Sequence, residues 1–270
     1  PIYSIHKRGE IAMKNILKIM LMMITIFTIA GSAVYAAEIP VSDQDQLITS
    51  RDWTEISNLQ DEMKKEEPDA TIDYDKALKV YVDCNLIKLQ TADTKKLTSA
   101  LESANYVWVI PFKMEKTYGM FTVAKGLPLS EEAKSVLTKA EQEEVKNHAG
   151  KWMITETAEH TVEPYYDILL EKREALSDCT RVVLVGSQPG MRQPVALGMD
   201  DETARIWISL GYQYPVMEKI PETQNVESGV YSFDSVAEIS DTYIEDSEVS
   251  TGAGVQSRSS MKYVAGIGII

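Results

Sequence analysis

Apolar and polar positions divide the middle of the chain into recognisable elements. Trp53, Ile56, Leu59 and Met63 recur at near-helical spacing after Ser50-Arg51-Asp52, with Pro68 beyond them, and predict a helix. Residues 73–82 carry two patterns at once. Tyr74, Ala77, Leu78 and Tyr81 fall at i, i+3, i+4 and i+7, which predicts a short helix, yet Leu78, Val80 and Val82 alternate as in a strand. Residues 96–103 read as a helix. The near-continuous apolar run 106–112 predicts a strand covered on both faces, and 119–125 is its expected partner.

Residues 130–148 predict one long amphipathic helix. Ser130 is its cap, Ala133, Val136, Leu137, Ala140 and Val145 its stripe, and Gly150 its stop. A third strand is expected at 152–157, and a helix at 165–176 with Pro164 in the first helical position. Strands are then expected at 182–186, 195–199 and 204–210, with Asp200-Asp201-Glu202 turning between the last two. Helices mixed with hairpins, and no regular β-α-β alternation, indicate an α+β fold. The expectation is a single domain with a mainly antiparallel sheet and several packed helices.

The two ends follow other rules. Lys14 and Lys18 precede an apolar core at 19–30 and the small-residue site Val34-Tyr35-Ala36, the order of a secretory signal peptide at 13–36 cleaved between Ala36 and Ala37. The apolar core is shorter than the roughly 20 residues of a spanning helix. Residues 1–12 read as non-native translation upstream of Met13, because Arg8-Gly9-Glu10 matches the coding of a purine-rich ribosome-binding site. Residues 222–261 are acidic, with Gly and Ser toward their end, and predict a flexible stalk beyond an ectodomain at 37–221. The apolar run 262–270 reads as the first part of a membrane anchor; a last strand returning to the sheet is the alternative.

Charge narrows the partners. The chain has a formal net charge of −14, and residues 1–36 hold four basic and one acidic side chain, so the remainder carries −17. Nucleic acid and anionic surfaces would repel it unless a local basic patch existed, and none is visible. The two cysteines, Cys84 and Cys179, lie far apart in sequence and carry no C-x-x-C pattern. In an exported protein they are either a disulfide or two buried thiols.

Motifs for catalysis are sparse. Ser187 directly follows Gly186 and the chain then runs into a strand, so neither the spacing nor the context of a G-x-S-x-G nucleophile turn is present. Ser259-Ser260-Met261-Lys262 falls in the expected stalk, where nothing desolvates the lysine. His148 and His160, with Glu156, Glu159 and Glu163 nearby in sequence, lack the H-E-x-x-H geometry of a zinc site, and Asp200-Asp201-Glu202 lacks the spaced oxygens of a calcium loop. No metal or cofactor is assigned. Tyr165, Tyr166, Tyr212 and Tyr214 are candidate exposed aromatics for sugar or peptide contact; the alternative places most of them in the core or at its rim.

The stretch Arg181 to Leu197 places Gly186-Ser187-Gln188-Pro189-Gly190 between two apolar runs. Pro189-Gly190 suits a type II turn and Pro194 the start of a strand. The loop is longer than a minimal hairpin needs, which makes Ser187, Gln188, Arg192 and Gln193 the candidate contact residues. Together these features predict an exported ectodomain at the outer face of a bacterial cell membrane or envelope, binding or structural, with a protein, peptide or wall component as partner. Two alternatives are an extracellular hydrolase with scattered carboxylates or a serine, and an accessory subunit of a membrane complex.

Overall fold

The computed structural model describes residues 39–160, 162–186, 188–191, 193–212 and 214–247, with the backbone alone at 132 and 241–247. All belong to the unit Ile39–Ile270. The expected leader, its cleavage site and the apolar run at 262–270 lie outside the described residues, as do the last residues of the expected stalk.

Ten strands are named in chain order: β1 (Thr71–Ile72), β2 (Leu78–Tyr81), β3 (Tyr106–Lys113), β4 (Tyr118–Lys125), β5 (Trp152–His160), β6 (Arg181–Val185), β7 (Val195–Met199), β8 (Ala204–Ile208), β9 (Asn225–Glu227) and β10 (Val230–Ser232). They make one sheet in the order β5-β4-β3-β2-β6-β7-β8-β10-β9, with β1 beside β3. Every pairing of these strands is antiparallel except one. β2 and β6 run parallel through Val80↔Leu184 and Tyr81↔Val185, joining two meanders. The result is a single mixed α/β domain on a mostly antiparallel sheet.

Alternation assigns the two faces. On the front, Trp108, Ile110, Phe112, Phe121 and Val123 pack beneath the helices α1 (Trp53–Ile56) and α2 (Gln60–Glu66) through Ile56 and Met63. Farther along the same face, Val183, Val185, Leu197 and Trp207 pack beneath α3 (Thr94–Ser103) and α7 (Phe233–Ser247). On the back, Val80, Val109, Leu184, Ala196 and Ile208 are covered by α6 (Tyr165–Glu171) through Tyr165 and Leu169. The continuous apolar runs at 106–112 and 182–185 are explained by this double cover.

Four expectations are corrected. Residues 74–76 form a single 3-10 turn and 78–81 a strand, because β2 finds partners on both sides. The helix expected over 130–148 is two, α4 (Glu131–Val136) and α5 (Lys139–His148). Leu137 is extended, and Thr138 opens α5 with a reciprocal capping box to Glu141. None of their described side chains is buried, and Val136 is 80% exposed.

The segment expected to be a flexible stalk from 222 instead supplies β9, β10 and α7. Val230, Phe233 and Val236 are buried, while Val226 and the acidic Glu222, Glu227, Asp234 and Glu238 remain exposed. The folded domain therefore extends beyond 221. Cys84 and Cys179 are free thiols, the first packed on the front core and the second in the back core, with the sheet between them. Burial pushes both up to about 11, which keeps them protonated and unreactive at neutral pH.

Candidate functional site

The loop between β6 and β7 is built as its residue types dictate. Met191 N donates to Gln188 O at 2.8 Å, and Gly190 takes φ 70°, the left-handed position that follows proline in a type II turn. Of the four candidate contact residues, Ser187 and Arg192 lie outside the described residues and Gln193 is exposed. Gln188 turns inward instead. It is 3% exposed, and its carboxamide oxygen accepts from Leu86 N at 2.9 Å while its nitrogen donates to Cys84 O at 2.6 Å and Gly186 O at 2.9 Å. A buried amide with those bonds made is a brace rather than a ligand contact.

What it braces is the wall of a cleft. Ile87 follows directly on the segment that Gln188 holds, and the chain continues through Gln90, Thr91 and Ala92 along one side. The far end of this wall is sewn to the β7–β8 hairpin, where Ala204 N donates to Ala92 O at 2.7 Å and Thr94 N to Glu202 O at 3.0 Å. The opposite wall is the start of α7, presenting Phe233, Asp234, Ala237 and Glu238. Ser232 caps that helix by accepting from Ser235 N at 3.2 Å. Phe233 is anchored from behind by stacking on Trp207 at 5.7 Å and 13°. The cleft is open to solvent and has a volume of ≈270 Å³. Its two carboxylates, Asp234 and Glu238, are exposed and engage no side chain or backbone group among the described residues.

Two other polar clusters are closed. Between the two front cores, Asp45 accepts from Ser42 at 2.6 Å and Tyr81 at 2.7 Å and pairs with Arg181 at 3.0 Å and Lys79 at 3.4 Å. Burial alone would raise its carboxyl, but those hydrogen bonds and charges outweigh it and hold Asp45 below the usual carboxylate range. Lys79 lies over the Tyr106 ring at 4.7 Å and the Trp108 ring at 5.3 Å, and burial lowers its ammonium despite Asp45. Asp52 accepts from Tyr106 at 2.8 Å and Trp108 at 3.1 Å. Both buried carboxylates are thus committed to holding residues 42–52 on the sheet.

On the back, Tyr212 and His160 Nδ1 are 3.1 Å apart, and the Tyr212 and Tyr165 hydroxyls 3.3 Å apart. Burial lowers His160, with Glu156 opposing, and raises Tyr165 strongly. Tyr165 and Tyr214 are core residues; Tyr166 and Tyr212 are half-buried at its rim. Among the described residues no three His, Cys, Asp or Glu side chains are grouped to hold a metal ion. At the β7–β8 turn the Asp200 carboxylate accepts from Glu202 N at 2.8 Å and Thr203 N at 2.6 Å, and pairs with Arg205. That is an acidic hairpin turn stabilised by its own backbone.

Phe233, Asp234 and Glu238 were missed in the sequence because the acidic composition around them reads as unpacked chain. The signal available was the one-sided spacing of Val230, Phe233 and Val236. Comparison with protein-family models, with curated proteins and with solved structures finds no match.

Proposed function

We propose that the chain is an exported binding domain of the bacterial cell envelope that engages a peptide segment of a partner without performing chemistry on it. Export rests on the leader read at 13–36, whose cleavage leaves Ala37 as the first residue. The observation that carries the binding reading is the make-up of the cleft between residues 87–92 and α7. Among the described residues no serine, cysteine or histidine lines it. Its two carboxylates sit at i and i+4 of one helix, side by side, whereas glycoside hydrolysis needs a pair flanking the scissile bond. The buried carboxylates that do converge, Asp45 and Asp52, are occupied by tyrosine, tryptophan, lysine and arginine partners.

Selection of a displayed random-peptide library on the intact ectodomain tests the reading. Binders are expected to perturb one contiguous set of backbone amides and to be recovered uncleaved. Turnover of a peptide, ester or glycoside that disappears on substituting a single carboxylate would overturn it. Mass determination of the exported protein is expected to give a chain beginning at Ala37.

A further inference from the structure

We infer that the back of the domain carries an acid-sensitive latch: the hydrogen-bond chain Tyr165–Tyr212–His160 pins the segment 209–214 to α6 and to the end of β5 while the imidazole is neutral, and releases it when the imidazole takes a proton. The inference goes beyond the binding reading and does not depend on it. It rests on how three groups share two bonds. The Tyr165 and Tyr212 hydroxyls are 3.3 Å apart, and the Tyr212 hydroxyl and His160 Nδ1 are 3.1 Å apart. Tyr165 is 5% exposed, and among the described residues Tyr212 is the partner of its hydroxyl. A buried hydroxyl proton needs an acceptor. Tyr165 therefore donates to Tyr212, Tyr212 donates its own proton onward to Nδ1, and the neutral imidazole carries its proton on Nε2. Every donor in the chain is then satisfied.

Protonation breaks this order. An imidazolium has no lone pair on Nδ1, so Nδ1–H donates to Tyr212. Either Tyr212 then donates back to Tyr165, whose proton is buried without an acceptor, or Tyr212 accepts from both sides and its own proton has none among the described residues. The surroundings do little to offset that cost. Glu156 lies on the same strand and favours the cation, but burial outweighs it and holds His160 below its ordinary 6.5. Tyr118 stands opposite on β4 with Lys113 over its ring at 5.8 Å, Glu159 alternates to the other face of the sheet, and Glu163 is exposed in the connection to α6. The folded state thus holds fewer protons than the unfolded one. The latch is complete above 6.5, weakens as pH falls below it and is open once pH passes the depressed value.

The latched segment crosses from one core to the other. Tyr212 touches both cores and Tyr214 lies in the front one. Gly211 takes φ 83° and sits so near the approach to α6 that a Cβ there would meet Val162 at 2.9 Å. Ser209 Oγ donates to Tyr212 O at 2.9 Å, and the Tyr214 hydroxyl donates to Pro194 O in the β6–β7 loop. Release at Tyr212 therefore reaches the loop that carries the Pro189-Gly190 turn.

The test is a titration of the His160 imidazole by nitrogen and carbon magnetic resonance in the isotope-labelled protein. Exchange protection of the Ser209 amide, which donates to Gly229 O at 2.8 Å, is followed over the same range with intrinsic rates divided out. An Nε2–H tautomer above the midpoint and a midpoint below 6.5 are expected, with Ser209 protection falling about fivefold or more through it. Tyr165→Phe keeps the burial of His160 but removes the stranded proton, so the midpoint is expected to rise toward 6.5. His160→Asn keeps an acceptor that does not titrate, and Ser209 protection is expected to stay flat with pH. An Nδ1–H tautomer, a midpoint unmoved by Tyr165→Phe, or an equal loss of Ser209 protection in His160→Asn overturns the latch.

Discussion

Two excursions leave the sheet and return to it between hydrogen-bonded antiparallel neighbours, and they are stabilised in opposite ways. Residues 82–105 run from β2 to β3 and fold back over the front of the sheet. Their helix, α3, buries Leu97 and Leu101 against Val183, Leu197 and Trp207, and the segment is further held by Gln188, Glu202 and Ala204. Residues 126–151 run from β4 to β5, and none of the described side chains in α4 and α5 is buried. This second excursion is held locally. Ser130 accepts from Ala133 N at 3.1 Å, and Thr138 and Glu141 cap one another. The Gln142 amide donates to the Lys134 and Leu137 carbonyls at 3.0 and 2.9 Å. Helices shorter than about 12–15 residues are marginal on such terms alone. The first excursion is therefore part of the cooperative core, and the second opens and closes with little cost to the rest.

Substitutions separate the two in descending order of effect. Leu97→Ala is expected to destabilise the whole domain by about 2–5 kcal/mol, read as a shifted denaturant midpoint, because a fully buried side chain leaves a cavity. Gln188→Ala strands Leu86 N and Cys84 O, and about 1–3 kcal/mol of global stability should go with it. An unshifted midpoint there would detach the turn from the covered excursion.

Thr138→Ala removes the cap of α5 at about 1 kcal/mol, and the loss should appear as faster amide exchange within 139–148 alone. Acid probes the same cap. Hydrogen bonds from the Thr138 side chain and backbone hold Glu141 below its ordinary 4.5. Its contribution is complete above that value and is lost as pH falls through the depressed one, so α5 should fray there. Global unfolding with it would merge the two excursions into one cooperative unit. Val136→Glu is expected to change stability by no more than about 0.5 kcal/mol, since the side chain already faces water.

The parts of this fold that sequence makes legible are those set by local chemistry. Pro189-Gly190 announces its turn because only a residue tolerant of φ 70° follows the proline comfortably. The strands around 106–112 and 182–186 announce themselves by apolar runs too short for helices. Where two local patterns coincide, tertiary pairing decides. Tyr74, Ala77, Leu78 and Tyr81 satisfy a helix on paper, but β3 and β6 bind 78–81 from either side. At 130–148 the apolar stripe suggested one packed helix; the capping chemistry of Thr138 and Glu141, visible in the sequence, was the better guide. The cleft was not legible at all. Its walls come from segments separated by about 140 residues, and the inward turn of Gln188 depends on the carbonyl and amide that 84–86 bring to it.

The parallel seam of β2 and β6 carries a consequence for the growing chain. Each meander assembles from sequence neighbours, whereas the seam joins strands on the order of a hundred residues apart, a closure that costs loop entropy and comes slowly. During synthesis the end of β2 at Val80 and Tyr81 therefore stands as an open sheet edge until Arg181–Val185 has emerged, while Gln46 bridges its start at Leu78. Such edges invite pairing with other chains, and a lysine on the strand is a recognised way of discouraging it. Lys79, which the finished core holds at a cost in solvation, is the one charge on that edge.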